Sequence, residues 1–382
     1  MTHGFVIRPV RGRAERAAFV NLPFRLYRDD PCWVPPLKSE VRSFLDRERH
    51  PFYDGGEGAE AEFFVAWEGR HPAGRIAAIL NHAHNRTHGE LVGCFGFLEV
   101  CNRPDMARDL LDVAEQWLRE RGATAILGPF NPSTNYECGL LVKGFTGAPV
   151  IMMTYNPEYY PRLVESAGYT KAKDLLAYIS PVQGRSLDRL QRLAERTRSR
   201  MPELETRAVN MDRFDDEVRT VQEIYNAAWA DNWGFVPMNE GEIRLMAKHL
   251  KPAVEPELVR FAFVDGKPAG FFLALPDWNP VIRQFNGSLL RHPLTALRHH
   301  FFTKSTDMEG LRLITLGIAH EYRKRGIEGV LFAEALSAGL KLGYAWAEYS
   351  WILEDNELTK RAVRLMDGEH YRTYRIYQKP LV

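Results

Sequence analysis

Three cations and two glycines crowd one strand-to-helix corner. In "LRLITLGIAHEYRKRGIEGVLFAEAL" the apolar run ending at Ile318 reads as a strand. The spacing of Val330, Leu331, Ala333 and Leu336 reads as a helix. Between them stand Arg323, Lys324, Arg325, Gly326 and Gly329. A helix start carries free N–H groups and the positive end of its dipole, and both favour an anion. Glycine lets a phosphate approach the backbone, and arginine adds charge-assisted hydrogen bonds. The corner fits a pyrophosphate cradle. Taken by spacing alone, a solvated basic turn with a glycine bend fits equally well.

Two glutamates are candidates for acid–base chemistry. Glu348 lies in "AWAEYSWIL", a strand that follows the helix of the corner, where a solvated strand glutamate is the plainer alternative. Glu137 lies in "GPFNPSTNYECGLLVKGF" beside Asn131, Ser133, Thr134, Asn135 and Tyr136, between apolar stretches. A buried carboxylate there would have a raised pKa suited to a base. A long loop satisfying its own backbone through Asn and Ser is the plainer alternative. His82, His84 and His88 cluster in "LNHAHNRTHGE", but no carboxylate or cysteine framework accompanies them, so a polar loop is expected and no metal site.

Composition narrows the field. The chain has 382 residues, 45% of them hydrophobic and 26% charged, with a formal net charge of +1. That is a soluble globular composition with no global field for nucleic acid. The four cysteines form no C-x-x-C pair. The first residues lack an apolar core of signal-peptide length, and no uncharged apolar run spans a bilayer. A cytoplasmic protein is expected, with contact to the inner face of a membrane left open.

The elements that must position these residues occur twice. "FFVAWEGRHPAGRIAAIL" (63–80) is matched by "FAFVDGKPAGFFLAL" (261–275), and "WVPPLKSEV" (33–41) by "FVPMNEGEI" (235–243). "NPEYYPRLVESAGY" (156–169) is matched by "NELTKRAVRLMDGE" (356–369), and a closing strand follows in each half. Matches in the same order indicate a tandem duplication. Each half reads β-α-α-β-β-β-α-β-α-β, a mixed α/β sheet with helices on both faces. The halves divide at 1–183 and 184–382. An insertion follows the central helix of the first half, around 130–154, and another precedes the central strand of the second, around 278–306.

The corner "YRKRGIEGVL" after "LITLGI" resembles the acyl-CoA signature of the GNAT N-acyltransferases, usually Arg/Gln-x-x-Gly-x-Gly/Ala. Arg323 and Gly326 match; the last small position holds Glu328, with Gly329 one residue later. The element order extends the resemblance to a tandem pair over nearly the whole chain. "GPFNPSTNYECG", "VIMMTYNPEYY" and "YRTYRIYQKPL" resemble the tandem GNAT proteins that include bacterial ceramide synthases.

The resemblance implies pantetheine along Leu316, Gly317 and Ile318, with a contact from Asn356 at the start of the last helix. The donor would be acyl-CoA, or an acyl carrier protein. A base, Glu348 or Glu137, would deprotonate the amine. The usual leaving-group tyrosine is missing near Arg364, Leu365 and Met366; Tyr371, Tyr374 and Tyr377 are its unranked substitutes, with Tyr374 taken as the candidate. The first half lacks the signature at "GFLEVCNRPDMARDLL", where Asp105 and Asp109 would repel an anion, so it is expected to bind no CoA.

The amine is expected to be a long-chain sphingoid base. Asn131, Ser133, Asn135 and Tyr136 would contact it, and Phe285 and Leu289 of the second insertion would help line its pocket. That insertion, with Arg283, Arg291, Arg298 and Lys304 among Leu290, Phe301 and Phe302, suits an anionic membrane surface or a lid helix. An N-acyltransferase for an amino acid, a peptide or another small amine is the alternative enzyme. A non-catalytic acyl-CoA sensor is the alternative class.

Overall fold

The computed structural model describes residues 4–56, 58–229, 232–289 and 308–381. The first half contains β1 (Val6–Pro9), α1 (Arg13–Leu26), α2 (Lys38–Phe44), β2 (Ala59–Glu68), β3 (His71–Asn81) and α3 (His82–His88). β4 (Val92–Val100), α4 (Pro104–Arg119), β5 (Ala125–Gly128), β6 (Phe130–Asn131), β7 (Glu137–Cys138) and β8 (Leu140–Lys143) follow. α5 (Tyr160–Ser166) and β9 (Thr170–Pro181) close it.

The second half repeats the order. It runs α6 (Arg185–Arg200), β10 (Leu204–Ala208), α7 (Phe214–Trp229), α8 (Glu240–Leu250), β11 (Val259–Val264) and β12 (Lys267–Pro276). Then come α9 (Asn279–Phe285), β13 (Gly310–Ile318), α10 (Ile327–Lys341), β14 (Trp346–Leu353), α11 (Glu357–Leu365) and β15 (Glu369–Pro380). The mixed α/β class read from the repeat is the class observed.

The compact units are not the contiguous halves 1–183 and 184–382. One gathers residues 4–175, 281–289 and 372–381; the other gathers 176–280 and 308–371. The closing strands are exchanged. The end of β15 completes the first unit, where it pairs antiparallel with β5 and β8. Side chains pin it there: Arg375 to Asp174 at 2.7 Å, Lys379 to Glu115 at 2.8 Å and Tyr377 to Glu165 at 2.9 Å. Arg372, 2% exposed, donates to the carbonyls of Gly144, Thr146, Gly147 and Ala148. In the second unit the end of β9 is held by Ser180, whose hydroxyl lies 3.0 Å from that of Tyr349, and by the Val182 N–H on Ala345 O.

Each unit has its own core under a long amphipathic or apolar helix. In the first, Met106, Leu110, Leu111, Ala114 and Leu118 of α4 pack on Ile76, Phe95 and Ile126. In the second, Ile327, Val330, Leu331 and Leu336 of α10 pack on Phe272, Leu311 and Tyr349. Small residues permit close approach: a Cβ at Gly339 of α10 would sit 2.8 Å from Leu311.

The stretch 82–88, expected as a loop, is the helix α3. Asn81 caps it, accepting from the His84 N–H, and Gly89 ends it in the left-handed region. His82 faces Glu60 at 3.2 Å and His84 faces Glu90 at 3.4 Å. The start of the second insertion is α9, and it docks on the first unit. Val281 and Phe285 are buried, Arg283 donates to Pro31 O at 2.6 Å, and Gly287 O accepts from the Lys38 N–H. Phe285 is thereby used in packing, while Arg283 and Leu289, the latter 44% exposed, stay at the surface. Leu290, Arg291, Arg298, Phe301, Phe302 and Lys304 lie outside the described residues. No helix among the described residues is long and apolar enough to cross a membrane.

Candidate active site

The second unit opens a slot at its centre. β13 and β14 pair in parallel from Gly310 opposite Trp346 to Leu313 opposite Tyr349, where the ladder ends. β13 runs on to Ile318, still paired with β12 on its other edge. A register shift opposite Leu273 and Ala274 marks a bulge at Ile314, which bends the strand at the point of separation. Leu316 and Ile318 are half-buried along the open edge. Gly317 is buried because a Cβ there would meet the Trp229 ring at 2.3 Å.

The slot leads to the glycine corner. Gly326 takes φ +88 as the residue before α10, and a Cβ on it would lie 2.7 Å from Thr197 Oγ1. Both facts require glycine for the fold. Gly329 is different: a Cβ there would meet nothing within 4 Å. No packing demands that glycine, so the first turn of α10 is open to an approaching group. Lys324 and Arg325 are exposed, with Arg325 over the Tyr322 ring. Arg323 turns inward instead. It donates to Ala228 O at 2.5 Å and to Ile318 O at 3.4 Å. It braces the end of β13 rather than offering its fork outward. Asn356 likewise caps α11, accepting from the Thr359 N–H at 3.1 Å.

Glu348 is fully enclosed, at 0% exposure, which removes the reading of a solvated strand glutamate. Arg312 stands opposite it in the parallel register and comes within 3.7 Å of its carboxylate. Ser350 donates to Glu348 Oε2 at 2.8 Å and accepts from Arg312 Nε at 3.2 Å. A buried ion pair of this kind is stable only where its remaining polar atoms are hydrogen-bonded, a need that Ser350 meets here. Tyr371 donates its phenol to Glu348 Oε1 at 3.3 Å and is itself half-buried. The three candidate tyrosines are thus told apart. Tyr371 reaches Glu348, Tyr377 reaches Glu165, and Tyr374 is wholly buried in the first unit, in register with Leu141. Sequence reasoning missed Arg312 and Ser350; alternation along the strand gave both glutamate and serine an inward face, which was the available signal.

In the first unit the equivalent slot is filled. β4 and β5 pair only from Val92 opposite Ala125 to Cys94 opposite Leu127. Beyond that, Asn131 Oδ1 accepts from the Phe97 N–H at 2.6 Å, and Phe130 O lies where a Cβ on Gly96 would be, 1.7 Å away. Residues of the chain itself occupy the gap. At the corner above, Arg103 is held between Glu68 and Asp105. Its cation holds the Asp105 carboxyl down at about 2.

The insertion around 130–154 gathers Glu137 and Glu40. β6 and β7 form a hairpin that sets Asn131 opposite Glu137. Ser133 is buried, its hydroxyl accepting from the Asn135 N–H, and the Tyr136 ring packs on Phe44 at 5.2 Å. Glu40 lies one turn before Phe44 on α2 and keeps a face open to water. Desolvation and then the Glu137 charge push its carboxyl up to about 7. Glu40 therefore binds its proton more tightly folded than unfolded, and the folded state loses relative stability as pH rises through about 7. Glu40→Gln is expected to melt above the native protein at pH 8 and level with it at pH 4, read from Tm at the two values.

No family model matches the chain. A bacterial ceramide synthase of Caulobacter vibrioides is 37% identical over 379 residues, covering 98% of this chain and 97% of that protein. The chain belongs to the bacterial ceramide synthase family. Protein YghO of Escherichia coli is 31% identical over 392 residues, covering 98% of this chain and 95% of the other. Among solved structures, a tandem GNAT protein from the clavulanic acid biosynthesis pathway matches with a TM-score of 0.56 at 12% identity, covering 99% of both chains. A GCN5-related N-acetyltransferase from Sphaerobacter thermophilus matches with a TM-score of 0.53 at 14% identity, covering 100% of this chain and 97% of that one. These two establish the tandem GNAT fold. The family makes the chain an N-acyltransferase, which is the enzyme class the corner motif implied.

Proposed function

We propose that the chain transfers a long-chain acyl group from a phosphopantetheine thioester to the amine of a sphingoid base. The observation that carries this reading is the slot between β13 and β14 leading to an open first turn at Gly329. The pantetheine lies along Leu316, Gly317 and Ile318, where an unpaired strand edge can bond its amides as a neighbouring strand would. The phosphates meet the N–H groups of α10, Lys324 and Arg325. Arg323 contributes by holding the end of β13.

A backbone N–H of β13 stabilises the oxyanion that forms when the neutral amine attacks the thioester carbonyl. The C–S bond then breaks, and the thiolate takes a proton. Tyr371 supplies it, with Glu348 as the group that orients the phenol and Arg312 as the charge that holds Glu348. The proton lost by the nitrogen restores the Tyr371 phenol, so the products are the amide and the free thiol; Glu137, the other base read from the sequence, lies in the first unit. The filled slot beside Phe97 supports a first unit that binds no CoA. Asn131 and Ser133 serve there as structure, while Tyr136 and Glu137 remain candidate substrate contacts.

The test is turnover of palmitoyl-CoA with a panel of amines. Sphinganine is expected to give its N-palmitoyl amide faster than any amino acid, peptide or polyamine, read by mass spectrometry. Faster acylation of a short amine would transfer the reading to the small-amine alternative. Binding of palmitoyl-CoA without turnover of any amine would make the chain a sensor.

A further inference from the structure

The helix beside the cradle carries a row of arginines that the fold does not use. On α6, Leu187 and Ala194 are buried and Leu190 packs on the same core. Arg189, Arg192, Arg196 and Arg200 recur at helical spacing on the opposite face, and all four are exposed. No ion pair or side-chain hydrogen bond engages any of them among the described residues. By contrast Arg198, on the flank, is paired with Glu334. From Arg189 to Arg200 the row extends about 16 Å at 1.5 Å per residue. Four like charges in a row repel one another, so a surface without a partner does not favour them.

The helix that carries the row reaches the cradle near its end. Thr197 of the same helix stands 2.7 Å from the position of a Cβ on Gly326, and Lys324 and Arg325 add exposed cations at the corner. We propose that this arginine row and the corner together form a docking surface for an acidic acyl carrier protein, which presents its phosphopantetheine thioester to the slot. The inference rests on the acyltransferase reading and names the partner that delivers the donor. Arginine forks pair with carboxylates two bonds at a time, which suits an acidic helix laid along α6. An anionic membrane is the other surface such charge attracts. Membrane-surface helices also insert apolar side chains. Here the flanks of the row carry Asp188, Glu195 and Ser199, and Leu193 is the large hydrophobe exposed on α6.

The experiment uses the whole chain and a bacterial acyl carrier protein loaded with a palmitoyl thioester. Binding is measured by calorimetry without any amine, so its outcome does not depend on which amine is acylated. The native chain is expected to bind the loaded carrier, more weakly as salt rises. Arg192→Glu with Arg196→Glu and Arg200→Glu is expected to weaken that binding at least about tenfold, with palmitoyl-CoA affinity changed less than about twofold. The exposed positions leave Tm unchanged. No binding of the carrier by the native chain overturns the proposal, as does an equal loss for carrier and CoA. Loss of sedimentation with phosphatidylglycerol vesicles in the triple variant, together with unchanged carrier binding, would assign the row to a membrane instead. Carrier binding with no acylation of any amine would leave the docking surface standing and remove the enzymatic reading.

Discussion

Gly329→Trp is expected to lower acyl-CoA affinity at least about 100-fold while leaving the melting temperature unchanged. The two corner glycines have different reasons to be glycine, and this separates them. Gly326 has a positive φ and Thr197 against it, so any side chain there strains the turn. Its replacement confounds folding with binding. Gly329 is in open space, so a side chain costs the fold nothing and fills only the surface that a phosphate must reach. Calorimetry with CoA and a thermal melt on the same samples check both halves of the expectation. Normal CoA affinity in a folded Gly329→Trp variant would remove the cradle from this corner. A second CoA bound by the native chain would show that the first unit's slot is not closed by Asn131.

Tyr371→Phe is expected to reduce kcat about 100-fold or more, with the apparent affinity for acyl-CoA unchanged. The substitution removes one hydroxyl from a half-buried ring and leaves Glu348 with Ser350 and Arg312. Glu348→Gln is a less clean probe. It breaks the buried pair with Arg312, 3% exposed, and breaking a buried pair costs about 3–5 kcal/mol of stability. Its kcat should also fall, but a loss of Tm is expected beside it. Tyr374→Phe and Tyr377→Phe should leave kcat near native, since their hydroxyls belong to the first unit. Steady-state kinetics on the three phenylalanine variants rank the tyrosines directly. A native kcat in Tyr371→Phe would leave the thiolate to be protonated by water.

The sequence by itself determined the parts of this protein that depend on local periodicity. The duplication, the order of most strands and helices in each half and the glycine corner were all legible. Alternation and helical spacing report which face of each element is buried. The acidic start of α4 was legible for the same reason, since a charge beside a helix start acts over one turn.

What needed the tertiary structure were the pairings between distant segments. Exchange of the closing strands depends on which sheet edge each end of β9 and β15 meets. Arg375 and Lys379 find Asp174 and Glu115 far away in the chain. The repeat, which compares only neighbours in sequence, placed them in the other half. Arg323 looked like a phosphate ligand until the carbonyl of Ala228 was beside it. Tyr371 could not be ranked above Tyr374 or Tyr377 because alternation says which face a side chain takes, not which carboxylate waits there. Asn131 read as a substrate contact, yet its amide oxygen fills the gap beside Phe97. Side-chain direction is decided by the group that satisfies each donor and acceptor, and in a folded chain that group is often a hundred residues away.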